Sequence, residues 1–174
     1  MTKVKPDLSL GHSLNPDAKS GRIKLALVAL PYGEGPQKIM PLGLQNISAY
    51  LKKHSTDTDV IIFDYSESDL LDINKLARLT DWGPTMVGFS VYSSNVIAAK
   101  EWAKIVKHCL PDTLIFCGGP HISLAAESFL RYAVDIYSVG LVGEGEYSTL
   151  RLVQEFADNQ KHSTGPTVKH PTPG

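Results

Sequence analysis

MVGFSVYSSNVIAAKEWAKIVKHCLPDTLIFCGGPHIS occupies residues 86–123. It opens with an apolar, β-branched run, passes through a polar loop, and then places Ala98, Trp102, Ile105 and Cys109 at helical spacing. Pro111 stops that helix, and a second β-branched run at 113–117 ends in paired glycines. Strand, helix and strand in this order form the crossover unit of a parallel sheet, because parallel neighbours need a long connection that returns the chain to the same edge.

Outward from this unit the alternation continues. Short strand-like runs fall at 23–30, 59–64, 86–91, 113–117 and 135–142. Leu44, Ile47 and Leu51 make one face of a helix, with Pro41 suited to its first turn. Ser66 and Asp69 resemble a capping box ahead of Leu70, Ile73 and Ala77, with Asp in place of the usual Glu or Gln. A shorter helix is expected at 124–132, and a last one at 146–158 with Leu150, Val153 and Phe156 facing inward. Five such alternations predict an α/β fold: a five-stranded parallel sheet covered by helices on both faces. Ligands of such sheets bind beyond the carboxyl ends of the strands, near the point where strand order reverses. The loops that follow the strands are therefore the ones to read for chemistry.

The chain has 174 residues, enough for one domain, expected at 23–158 between a flexible segment at 1–22 and a flexible tail or linker at 159–174. A formal charge of -1 lacks the strongly basic footprint of nucleic-acid or anionic-membrane binders, which leaves small molecules as the expected partners. The longest apolar runs, 23–30 and 134–141, fall far short of the roughly 20 residues that cross a bilayer. Residues 1–21 lack the apolar stretch of a signal peptide, so a cytoplasmic location is expected. The two cysteines, Cys109 and Cys117, are too few for a disulfide framework or a four-cysteine metal site. Both are expected to be buried free thiols.

The loop after the first strand, 31–40, contains Gly33 and Gly35 but has Lys38 where a GxGxxG fingerprint needs its third glycine. It also lacks a Ser/Thr-rich phosphate loop and the GxxxxGK pattern, which argues against nucleotides. A response-regulator receiver shares the layout but needs acidic residues where this chain has Leu30-Pro31 and Ser90-Val91. The third strand delivers Ser90, Tyr92, Ser93, Ser94 and Asn95 to the ligand edge. For Ser94 and Asn95, capping of the next helix competes with ligand contact. Ser90 interrupts an apolar strand and has no such explanation. Gly118 and Gly119 supply either close ligand approach or a positive φ, and Pro120 stiffens the exit. A substitution such as Gly119→Val is expected to weaken ligand more than fold. His121 begins a helix, where a cap or supporting donor is the commoner role than acid/base catalysis. In Val142-Gly143-Glu144-Gly145-Glu146, the helix dipole accounts for Glu146, whereas Glu144 stands between glycines as a candidate ligand acceptor.

Together, MPLGLQNISAYLKK (40–53), VGFSVYSSN (87–95), CGGPHIS (117–123) and VGEGE (142–146) resemble the cobalamin-binding domain at the front of cobalamin-dependent radical SAM enzymes. The resemblance covers roughly residues 23–157 and implies a Rossmann-like, flavodoxin-like sheet. In the wider cobalamin-binding fold a DxHxxG loop gives cobalt a histidine, followed by SxL and GG motifs. Ser90 and Gly118-Gly119 stand at the latter two, while 31–35 carries no histidine. The resemblance therefore implies base-off, His-off cobalamin, with its nucleotide tail detached and lodged in the domain beside Ser90 and Gly118-Gly119. Tyr32, Tyr92, Glu144 and Gly145 would approach the corrin and its amides. The full implied set is Tyr32, Gly33, Leu42, Ser90, Val91, Tyr92, Ser93, Asn95, Gly118, Gly119, Pro120, His121, Gly143, Glu144 and Gly145, with no protein ligand to cobalt.

A radical SAM cluster needs CxxxCxxC, because three thiolates hold the iron-sulfur cube. Cys109 and Cys117 cannot provide it, so the cluster and S-adenosylmethionine are expected only in a missing domain or a partner. The leading function is a module that presents cobalt for methyl transfer or tetrapyrrole cyclisation. A stand-alone cobalamin carrier or sensor is the second, and a small-ligand enzyme using His121 and Glu144 the third. That last reading is the weakest, because no nucleophile or metal constellation surrounds the two residues.

Overall fold

A computed structural model describes residues 22–32, 40–66 and 73–163. The elements run β1 (Ile23–Ala29), α1 (Leu42–His54), β2 (Thr58–Asp64), α2 (Ile73–Asp81), β3 (Met86–Ser90), α3 (Val96–Cys109), β4 (Leu114–Gly118), α4 (Pro120–Tyr132), β5 (Val139–Gly140) and α5 (Gly145–Ser163). All strand pairs are parallel, in the order β2-β1-β3-β4-β5. The expected five-stranded sheet with helices on both faces is what the chain forms.

β1 shows why the sheet is buried on both sides. Its alternate residues Ala26 and Val28 join a core with Leu79, Trp102, Val106, Ile122 and Phe129 of α2, α3 and α4. Ile23, Leu25, Leu27 and Ala29 join the opposite core, against Leu44 and Leu51 of α1 and Leu150 and Val153 of α5. With period-two alternation feeding two apolar layers, nearly every β1 residue is apolar. Chain order reverses at β1, which has β2 on one side and β3 on the other. The ligand crevice of this topology lies there, at the carboxyl ends of β1 and β3.

Several local expectations need correction. β5 is two residues long rather than 135–142. The preceding residues form a turn, with Ile136 N–H and Tyr137 N–H both donating to the Ala133 carbonyl at 3.0 and 3.1 Å. Ile136 and Tyr137 are buried from within that turn, so their burial produces a strand-like apolar run without a strand. The inward face of α3 is Ala99, Trp102, Ala103 and Val106, one position round from the expected stripe. Small Ala99 and Ala103 let the helix lie close to the sheet, and Cys109 is left exposed rather than buried; Cys117 is buried as expected.

In α2, Leu76 and Leu79 pack inward and Ala77 is exposed. Of the expected capping pair, Asp69 lies outside the described residues, as does Leu70. Ser66 instead donates through both its N–H and its hydroxyl to Asp64 Oδ1, at 3.0 and 2.6 Å. α4 begins at Pro120 rather than 124 and breaks helical geometry at Ala125 (φ -136, ψ 30). α5 continues past 158 to Ser163, so residues 159–163, expected in the tail, are helical.

Candidate functional site

Three segments meet at the carboxyl edge. The backbone beyond β3 bonds directly to the backbone beyond β4: Val91 N–H donates to the Gly118 carbonyl at 2.8 Å, and His121 N–H donates to the Val91 carbonyl at 3.2 Å. Gly119 makes this crossing possible. Its φ is +105, and a Cβ would stand 2.9 Å from the Val91 carbonyl oxygen. A side chain at 119, as in Gly119→Val, therefore strains the fold as well as any ligand path: position 119 is glycine because two backbones touch there. Gly118 differs. The nearest atoms to a Cβ built on it belong to Leu141, at 3.6 Å, an ordinary contact. Ser90 sits beside Gly118 in register, and Ala29 lies on the other side of Ser90.

Asn95 resolves the competition between cap and ligand in a third way. It is 2% exposed and occupies the N-cap of α3, but its side chain makes no cap bond. Its Oδ1 accepts from Tyr92 N–H at 2.8 Å, and its Nδ2 reaches toward the Leu30 carbonyl at 3.5 Å. One buried amide thus ties the end of β1 to the loop after β3, across the point where strand order reverses. Over it, the Tyr32 and Tyr92 rings meet edge to face with centroids 4.3 Å apart. Burial, reinforced by a hydrogen bond with Tyr92, pushes the Tyr32 phenol well above its ordinary value, so it stays neutral.

On the α4 side, Ser93 Oγ and His121 Nδ1 lie 3.1 Å apart, and the imidazole meets the Phe129 ring edge to face at 5.7 Å. Pro120 takes the first helical position, where its missing N–H costs nothing. The loop after β5 is pinned by Gly143 N–H, which donates to Ser123 Oγ at 3.1 Å. Glu144 is exposed within it. Gly145 opens α5 where a Cβ would stand 2.7 Å from Ile47 Cδ1, so its smallness serves the packing of α5 on α1. Leu42 opens α1 and is 62% exposed.

The structure thus gathers Tyr32, Leu42, Ser90, Tyr92, Ser93, Gly118, Pro120, His121, Gly143 and Glu144 along one edge. Val91 and Asn95 are buried there as internal ties, Gly119 and Gly145 serve close packing, and Gly33 lies outside the described residues. Sequence reasoning passed over Thr149. It is fully buried in the second turn of α5, and its Oγ1 has no partner. An orphaned buried hydroxyl costs about 1–3 kcal/mol unless something bonds it. The available signal was its spacing, since a hydroxyl four residues after Gly145 falls on the inward stripe of Leu150 and Val153. Among the described residues, no group of three His, Cys, Asp or Glu could hold a metal ion.

A groove of about 600 Å³ lies at the opposite, amino edge, beside β2. Two of its three lining cations are already engaged: Arg22 pairs with Asp59 at 2.6 Å and Lys24 Nζ donates to the Trp82 carbonyl at 3.0 Å. The carboxyl edge, which brings together Ser90, Gly118, Ser93 and His121, is the candidate ligand site.

Residues 32–153 match the family described as B12 binding domain. This chain belongs to the B12-binding domain family. The cobalamin resemblance carried by the four loops is thereby borne out. An uncharacterized methyltransferase of Pyrococcus horikoshii is 28% identical over 146 residues, which cover 80% of this chain and 30% of the relative. The anaerobic magnesium-protoporphyrin IX monomethyl ester cyclase of Rubrivivax gelatinosus is 29% identical over 113 residues, covering 65% of this chain and 20% of the relative. The chain spans less than a third of either relative's length. Among solved structures, the activated DrrB receiver domain superposes with a TM-score of 0.50 at 14% identity, covering 79% of this chain and 98% of that one. The RcsB response regulator of Salmonella typhimurium gives 0.50 at 10% identity, covering 86% and 64%. At such identities the B12-binding chain shares their fold alone. No helix among its described residues is long and apolar enough to cross a membrane.

Proposed function

We propose that this domain holds cobalamin in the base-off state, without a histidine from the loop after β1, for a radical SAM methyltransferase or cyclase active site carried by another domain or partner. The observation that carries the reading is the family match laid on the geometry of the carboxyl edge, where Ser90 and Gly118 stand side by side at the ends of β3 and β4. A detached nucleotide tail, which is polar and hydrogen-bonding, would run beside the half-buried Ser90 and Gly118 at the strand ends. The methyltransferase and cyclase relatives support the class of chemistry.

Bound cobalamin would supply a cobalt centre able to accept and hand on a methyl group. The protein's own contribution is positional. Asn95 and Gly119 lock the loops into a fixed edge, Tyr32 and Tyr92 offer an aromatic shelf at the strand-order reversal, and Ser90 and Gly118 stand side by side at the strand ends. Neither cysteine belongs to a CxxxCxxC sequence, so the iron-sulfur cluster and S-adenosylmethionine are assigned to the partner.

Anaerobic reconstitution of the folded protein with hydroxocobalamin, followed by desalting, tests the reading. A base-off absorption spectrum at near-stoichiometric loading is expected. Folded protein that retains no cobalamin would overturn the proposal, and a base-on spectrum would overturn its base-off part.

A further inference from the structure

The polar groups of the carboxyl edge are largely consumed by the protein itself. Val91 bonds through both its N–H and its carbonyl, Tyr92 N–H is taken by Asn95, and Gly143 N–H by Ser123. His121 is different. Its Nδ1 is held by Ser93, its ring rests against Phe129, and its backbone is tied to Val91, yet Nε2 has no partner among the described residues. His54, His108 and His162 fall in the last turns of α1, α3 and α5, at the far edge. His121 is therefore the histidine that the described fold brings to the ligand edge, with its ring fixed and one nitrogen spare.

We propose that His121, held through Nδ1 by Ser93, presents Nε2 to a carboxamide of the corrin periphery, so that the Ser93–His121 pair sets affinity for the ring rather than for the nucleotide tail. This rests on the cobalamin reading above and names a contact within it. The chemistry matches in either tautomer. A hydroxyl can donate to Nδ1 or accept from it, which leaves Nε2 as a donor or an acceptor respectively. A carboxamide answers both, because it carries an N–H₂ and a carbonyl. Ligation of a metal would require one tautomer only, with Nδ1–H donating to Ser93 and the Nε2 lone pair free.

Equilibrium titration of the full chain with hydroxocobalamin, and separately with cobinamide, which keeps the ring carboxamides and lacks the nucleotide tail, tests the pair. His121→Ala is expected to weaken both probes by the same factor, about five- to tenfold, the worth of one neutral hydrogen bond. His121→Gln, whose amide nitrogen reaches the place of Nε2, is expected to recover most of the loss. Ser93→Ala, a change at an exposed side chain, is expected to lose a smaller part of it. Tight binding by the wild type with unchanged affinity in His121→Ala would overturn this inference while leaving the cobalamin reading intact. A loss confined to hydroxocobalamin would overturn it in favour of a tail contact. Nitrogen hyperfine splitting from His121 in the spectrum of the bound cobalt(II) form, lost in His121→Ala and His121→Gln, would overturn it in favour of cobalt ligation.

Discussion

At the residue scale, the two cysteines separate by environment. Cys117 lies in the core of β4, its Sγ 3.7 Å from the Val139 carbonyl, and burial pushes its thiol up from 9.0 to about 12. Cys109 is exposed at the last residue of α3. A thiol reagent at neutral pH is expected to modify Cys109 in the native protein and Cys117 only on unfolding, read as one fast equivalent and then two in denaturant. The same shift predicts a pH dependence. Below 9 both states keep the Cys117 proton and stability is flat. Between 9 and 12 the unfolded chain loses it while the folded chain does not, so stability falls as pH rises. Tyr32 and Tyr137 are raised in the same direction, mainly by burial. Urea titrations across this range should show the decline beginning one unit later, near the ordinary tyrosine value of 10, in Cys117→Ala.

At the scale of elements, the junction of β3 with β4 separates a glycine the fold needs from one it tolerates. Gly119→Ala places a Cβ against the Val91 carbonyl in a left-handed backbone, and a loss of about 1–3 kcal/mol in chemical denaturation is expected. Gly118→Ala meets only ordinary contacts, so its stability should stay within about 1 kcal/mol of the wild type. If the cobalamin tail passes beside Ser90 and Gly118, that second variant weakens hydroxocobalamin while its melting temperature without ligand is nearly unchanged. Equal cobalamin affinity in Gly118→Ala would remove position 118 from the site. Paired glycines in the sequence cannot reveal this division, since φ and the approach of Val91 exist only once β3 and β4 are side by side.

At the scale of the molecule, the described loops after β3, β4 and β5 are locked internally by Asn95, Gly119 and Ser123, so a ligand would meet a preformed surface there. A ligand that binds only the folded state stabilises it by mass action. The apparent melting temperature is therefore expected to rise steadily with added hydroxocobalamin, and an unchanged value at saturating cobalamin would count against binding to the native edge.

The sequence by itself determined the alternation of strands and helices, the parallel sheet, the edge at which ligand chemistry gathers, and, through four loop motifs, the cobalamin family. These are local properties: apolar period, turn chemistry and short motifs are written in neighbouring residues. Only the tertiary structure decided which side of α3 faces the sheet, that Ile136 and Tyr137 are buried in a turn rather than a strand, and that Asn95 is an internal tie. It alone separated Gly118 from Gly119, left Thr149 without a partner and brought Ser93 to His121. Each of these depends on contacts between segments distant in the chain, where the geometry of approach, rather than residue type, sets what a side chain can do.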